Sequence, residues 1–84
     1  MRPVARMEIS VYPLGTSNPS ISEEVSAIFD VLDRCGLKYE ISVMGTTVEG
    51  NPAELLSLAG KLHNAVFSDS IRRVVTVIKI DERR

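Results

Sequence analysis

Eighty-four residues hold one hydrophobic core rather than two, so the chain reads as a single domain spanning residues 1–84. Hydrophobic residues make up 44% of it, which excludes a disordered chain, and ten Lys and Arg against eleven Asp and Glu exclude the basic footprint of a nucleic-acid binder. Cys35 is the one cysteine, so neither an intrachain disulfide nor a cysteine-clustered metal site is available.

No apolar run approaches the roughly 20 residues of a membrane span, and residues 1–11 carry no long apolar segment of the signal-peptide kind. With the lone cysteine, this makes a reducing cytoplasm the expected setting. A domain this small leaves much of its surface uncovered, which favours assembly with a second copy. The Arg72-Arg73 and Arg83-Arg84 pairs lie among Asp69, Asp81 and Glu82 and read as solvated charge.

Residues 6–14 alternate: Met7, Ile9 and Val11 point one way, Glu8, Ser10 and Tyr12 the other. That alternation marks a strand with unlike faces. Pro13 and Gly15 are expected to end it, and residues 15–19 carry turn chemistry. A helix is expected from Ser20, with Glu23 completing a capping box and Ser22 as the competing cap. Its apolar stripe is Val25, Ile28, Phe29, Leu32 and Cys35, and Gly36 supplies the left-handed stop.

Residues 37–44 alternate again, with Leu37, Tyr39, Ile41 and Val43 facing inward. Gly45 marks a tight connection, and residues 46–49 read as a short third strand paired with the second. Asn51, Pro52 and Glu54 form the clearest helix start in the chain, followed by a stripe of Leu55, Leu58, Ala59, Leu62, Ala65 and Val66. Asp69 and Ser70 follow its end. The last strand spans residues 73–81, with Val74, Thr76, Ile78 and Ile80 on one face.

This order is β-α-β-β-α-β, the ferredoxin-like pattern within the α+β class. Right-handed crossovers then place both helices on one face of a four-stranded antiparallel sheet. The other face presents Glu8, Ser10, Tyr12, Glu40, Ser42, Met44, Thr47, Glu49, Val75, Val77 and Lys79. It is too apolar for free solvent and too charged for a core. Such a face suits a subunit contact that also holds a small polar ligand.

The stretches EISVYPLGT, NPSISEEV, CGLKYEISVMGTTVEG and RRVVTVIKIDERR follow in that order between residues 8 and 84, and the likeness they carry runs from about Glu8 to Arg83. In them the chain resembles the small thiamine-binding protein family related to YkoF. The resemblance implies a ferredoxin-like fold, binding of thiamine or its hydroxymethylpyrimidine part, and assembly as a homodimer or homotetramer through sheet faces and edges. Matching positions are Pro13, Gly15, Ser20, Ser22, Gly45, Thr46, Glu49, Gly50, Lys79, Asp81 and Arg83.

Thiamine joins an aminopyrimidine to a permanently cationic thiazolium. A site for it needs hydrogen-bonding groups, a plate to stack on and nearby negative charge. Ser10 and Thr47 offer hydroxyls, Tyr12 and Met44 plates, and Glu8 and Glu49 carboxylates. Ser22, Thr46 and Lys79 join this set through the resemblance. Plainer roles stand beside these: a dimer contact for Tyr12, a cap for Ser22, a neighbour of the second helix for Glu49. Lys79 and Asp81 fit a cross-strand or intersubunit pair.

No nucleophile stands with a base, and His63 and Cys35 lie on different helices, so the expectation is a binder without catalysis or cofactor. An RNA-recognition domain would place aromatic residues on its central strands, and here Tyr12 stands alone. The competing class is a ligand-free regulatory or structural oligomerisation domain.

Overall fold

The computed structural model describes residues 4–14 and 22–84, with the side chains of residues 22–24 outside that description. The expected turn at residues 15–19, the Ser20–Glu23 cap and the Ser22 hydroxyl therefore lie outside the described residues. The elements are β1 (Ala5–Leu14), α1 (Ser22–Cys35), β2 (Lys38–Ser42), β3 (Gly45–Gly50), α2 (Pro52–Ala65) and β4 (Arg73–Glu82).

The sheet order is β2-β3-β1-β4, antiparallel throughout, which is the expected ferredoxin-like α+β arrangement. Register fixes the faces, because directly opposed residues share a side. Met7 opposes Val48 and Ile80, and Val48 opposes Tyr39, so these define the helix side. Glu8 opposes Thr47 and Lys79 on the open side.

α2 forms where its start is best supplied. The Asn51 side chain accepts from the Glu54 amide at 2.9 Å, Glu54 Oε1 accepts from the Asn51 amide at 3.4 Å, and Pro52 opens the helix. Such a cap contributes about 1 kcal/mol. The helix then buries Leu55, Leu58, Ala59 and Leu62 against Ala5, Met7, Ile9 and Val48. Each large side chain so enclosed stabilises the fold by roughly 1.5–3 kcal/mol.

α1 ends at Gly36, whose φ of +72° is the left-handed stop that L side chains resist. It packs on α2 through Leu32, with Ile28, Val31 and Cys35 partly buried beside it. Val25 and Phe29, expected in that stripe, stay exposed because the buried face turns toward α2.

Four expectations need correction. Val43 is not core. β2 stops at Ser42, Val43 and Met44 form the hairpin turn, and Val43 is fully exposed. Ile41, beside that turn on the outer strand, is uncovered as well. Ile78 and Ile80 lie on the helix side of β4, yet remain 38% and 36% exposed, because β4 is the outermost strand on that side of the sheet. Pro13 does not end β1; it stands opposite Val74, and the ladder runs on to Leu14. Pairing with β3 has already stopped at Ile9, so among the described residues Pro13 has a strand on one side of β1 only, a place that tolerates a missing amide hydrogen.

Candidate functional site

The unequal length of the two ladders creates the site. β3 pairs with β1 only as far as Ile9 opposite Thr46, whereas β4 follows β1 to Leu14. Past Ile9 no strand among the described residues pairs with this side of β1, and a cleft of about 310 Å³ opens there. Its floor is β1 from Ile9 to Tyr12, and one wall is the hairpin tip with Val43 and Met44. Val25 and Ile28 of α1 and Leu62 of α2 close the apolar side.

Hydroxyl groups hold the rim in place. Ser10 Oγ donates to the Met44 carbonyl oxygen at 3.3 Å, tying β1 to the hairpin. Ser42 Oγ accepts from the Met44 amide at 3.3 Å and donates to the Gly45 carbonyl oxygen at 3.1 Å. Gly45 has φ of +139°, and its flank is pressed against Ser10 and the Ile9 carbonyl. Tyr12 is half exposed beside the opening, and Met44 is exposed above it.

The residues expected to bind ligand fall into separate groups. Ser10, Tyr12, Met44 and Thr46 all line this cleft, with Thr46 buried on the helix side. Thr47 and Glu49 instead line a more polar hollow on the open face, with Arg6, Lys38 and Glu40. Glu49 Oε1 accepts from Arg6 Nη2 at 3.1 Å and from Nε at 3.3 Å. Glu8 meets Lys79 at 3.9 Å across the strands, so Lys79 is paired with Glu8 rather than with Asp81. Both ion pairs are solvent-exposed and of small energetic value. Ser42, Val11 and Ile28 were absent from the expected set. The Ser42-x-x-Gly45 spacing marks the hairpin tip that brings Ser42 in, while Val11 and Ile28 read from sequence as ordinary core.

Other chemistry-bearing groups have structural partners. His63 Nδ1 lies 2.7 Å from Thr76 Oγ1, and its ring meets Phe67 edge-on at 5.3 Å. Cys35 Sγ accepts from the Leu37 amide at 3.4 Å. Tyr39 Oη donates to Asp33 Oδ1 at 2.8 Å, and this hydrogen bond, with burial and the Asp33 charge adding to it, raises the phenol pKa. Among the described residues no three His, Cys, Asp or Glu side chains converge as a metal group. No helix among them is long and apolar enough to cross a membrane.

Sheet, helix layer and cleft together define a ferredoxin-like α+β domain with a small hydroxyl-rimmed pocket at one end of its central strand. The chain belongs to the family described as thiamine-binding protein, whose profile matches residues 7–84. A UPF0045 protein of Methanothermobacter thermautotrophicus is 41% identical to it, over 92% of this chain and 79% of the relative. The crystal structure of the hypothetical protein MJ1052 from Methanocaldococcus jannaschii superposes with a TM-score of 0.83 at 37% identity, covering 96% of this chain and 81% of that one. The Thermotoga maritima protein TM0486, whose description proposes a role in thiamine biosynthesis or salvage, matches with a TM-score of 0.80 at 25% identity. That match covers 96% of this chain and 85% of the Thermotoga chain.

Proposed function

We propose that this protein is a non-catalytic binder of thiamine or of its hydroxymethylpyrimidine part, acting as a homo-oligomer. One observation carries the reading: Ser10, Tyr12, Met44 and Thr46, from two strands and a turn, converge on a single cleft in a member of a thiamine-binding family. The cleft volume of about 310 Å³ stands at the small end of the usual range for ligand pockets, suited to one ring rather than a large cofactor.

In this reading the aminopyrimidine enters between Tyr12 and the Val25–Ile28 wall, and the Ser10, Ser42 and Thr46 hydroxyls serve its polar edge. The thiazolium then stays at the mouth, toward solvent. Glu8 and Glu49, already held by Lys79 and Arg6, supply little free negative charge to it. A ligand that binds only the folded state raises its melting temperature, so a thermal-shift series with thiamine, hydroxymethylpyrimidine and unrelated cofactors is the direct test. An unchanged melting temperature with both, matched by no heat in calorimetry, removes the proposal. Chromatography of thiamine recovered after incubation tests the absence of catalysis; any new product overturns it.

A ligand-free oligomerisation domain is the second reading, favoured by the exposure of Tyr12, Val75 and Val77 on the open face. It gains if scattering finds an oligomer that no thiamine-related compound stabilises.

A further inference from the structure

The main chain of β1 carries polar groups into the cleft. In an antiparallel ladder a residue directs its N–H and C=O to the same flank, and the next residue directs them to the other. The Ile9 carbonyl oxygen lies 3.0 Å from the point where a β-carbon on Gly45 would stand, so Ile9 faces the β3 side, where it pairs with Thr46. Val11 and Pro13 share that flank, whereas Ser10, Tyr12 and Leu14 direct theirs to β4, opposite Val77, Val75 and Arg73. Pro13 agrees with this phase: its nitrogen carries no hydrogen, and the β4 ladder runs past it unbroken.

Beyond Ile9, Val11 is therefore the residue whose N–H and C=O both face this flank with no strand partner among the described residues. An added peptide strand would need a second such residue, and Pro13 supplies no donor. What is left is one donor beside one acceptor, which suits an edge of a single small ring. Val11 lines the cleft, where Ile9, Val25, Ile28 and Leu62 are apolar and no described lining residue is charged. In such surroundings a polar group without its partner is penalised most, so the pair discriminates between ligands as well as holding them.

We infer that the Val11 main chain sets the specificity of the cleft, taking a flat heteroaromatic ring that carries an amino group next to a ring nitrogen. The ring nitrogen accepts from the Val11 N–H, and the amino group donates to the Val11 carbonyl oxygen. An aminopyrimidine has this edge, so the inference rests on the proposed function and deepens it by naming the part of the ligand that is read. The Ser10, Ser42 and Thr46 hydroxyls then serve the remaining polar atoms of the ring. The Val11 side chain packs against the core on the helix side and takes no polar part.

The test is nuclear magnetic resonance of the full chain with hydroxymethylpyrimidine as the probe. On binding, the Val11 amide proton is expected to move downfield, while the Ser10 and Tyr12 amides, bonded to β4, stay in place. Removing the amino group from the pyrimidine, or capping it with two methyl groups, is expected to weaken binding about tenfold. Val11→Pro removes the N–H on the flank where Pro13 already does without one, and is expected to do the same in calorimetry. Val11→Ala keeps the main chain and stays within about threefold. Circular dichroism checks the folding of both variants, and the ligand series on the unaltered protein decides the matter without them. If hydroxymethylpyrimidine binds with the Val11 amide unmoved, or the deaminated ring binds equally well, the inference is overturned and the proposed function stands. If neither hydroxymethylpyrimidine nor thiamine binds, the proposed function falls, and unsubstituted aminopyrimidine at high concentration decides the inference alone. A downfield shift at Val11 then supports it, and an unmoved Val11 amide overturns it.

Discussion

The Ser10 hydroxyl oxygen lies 2.7 Å from the point where a β-carbon on Gly45 would stand, while donating to the Met44 carbonyl oxygen at 3.3 Å. The rim of the cleft therefore depends on a residue without a side chain. Gly45 also has φ of +139°, where other residues are strained. Gly45→Ala is expected to lower stability by about 1–3 kcal/mol in urea unfolding and to weaken thiamine binding. Ser10→Ala loses a single hydrogen bond and costs about 1 kcal/mol.

Tyr12 and Glu49 separate the cleft from the charged hollow. If the ligand occupies the cleft, Tyr12→Ala reduces thiamine affinity about tenfold through the lost stacking surface. Glu49→Gln breaks only the exposed pair with Arg6 and leaves affinity within about a factor of two. Calorimetry showing the reverse order moves the ligand to the hollow lined by Arg6, Thr47 and Glu49.

Packing gives an internal contrast. Met7 and Leu55 are fully enclosed, so Met7→Ala or Leu55→Ala is expected to cost about 2–5 kcal/mol. Val43, despite its apolar side chain, stands clear in the hairpin turn, and Val43→Ala is expected to stay within about 0.5 kcal/mol. Denaturant midpoints measure both.

The α2 start carries its own prediction. Asn51→Ala removes the acceptor for the Glu54 amide and lowers stability by about 1 kcal/mol. Asn51→Asp keeps an acceptor in place and retains most of it, as thermal melts of the two variants would show.

Tyr39 adds a pH dependence on the alkaline side. Its hydrogen bond to Asp33, with burial and the Asp33 charge assisting, raises the folded pKa above the ordinary 10.0. Between the unfolded and folded values the folded protein holds the proton and the unfolded chain has lost it, so stability falls as pH rises. The contribution is complete below about pH 10 and disappears once the folded value is passed. In a Tyr12→Phe background, tyrosinate absorbance follows Tyr39 alone, and Asp33→Ala moves its titration downward.

Much of this architecture is legible in the residues themselves. The Asn51-Pro52-x-Glu54 start, the Gly36 stop, the alternation of β1 and the β-α-β-β-α-β order all act through local chemistry, and the structure carries each of them. The errors arise where tertiary placement decides. Val43 continues the alternation of β2, but the chain turns there because Ser42 and Gly45 support the turn from either side, with no Gly or Asn between them. Ile78 and Ile80 have the correct face, yet a strand pattern carries no information about its place in the sheet. The cleft is readable only in part: Ser10 and Tyr12 stand on one face of an alternating strand, whereas their meeting with Thr46 from the other face depends on where β3 stops.

That stopping point divides β1 into unlike halves. Residues 5–9 have a strand on each side, and their amides are held whichever way they point. Among residues 10–14 alternate amides turn toward a side on which no strand among the described residues pairs, so they are expected to trade hydrogen for deuterium sooner than those a few positions back. The strand is thus stiff at one end and pliable at the other, and a guest settling beside Tyr12 would slow that exchange without any large movement of the chain.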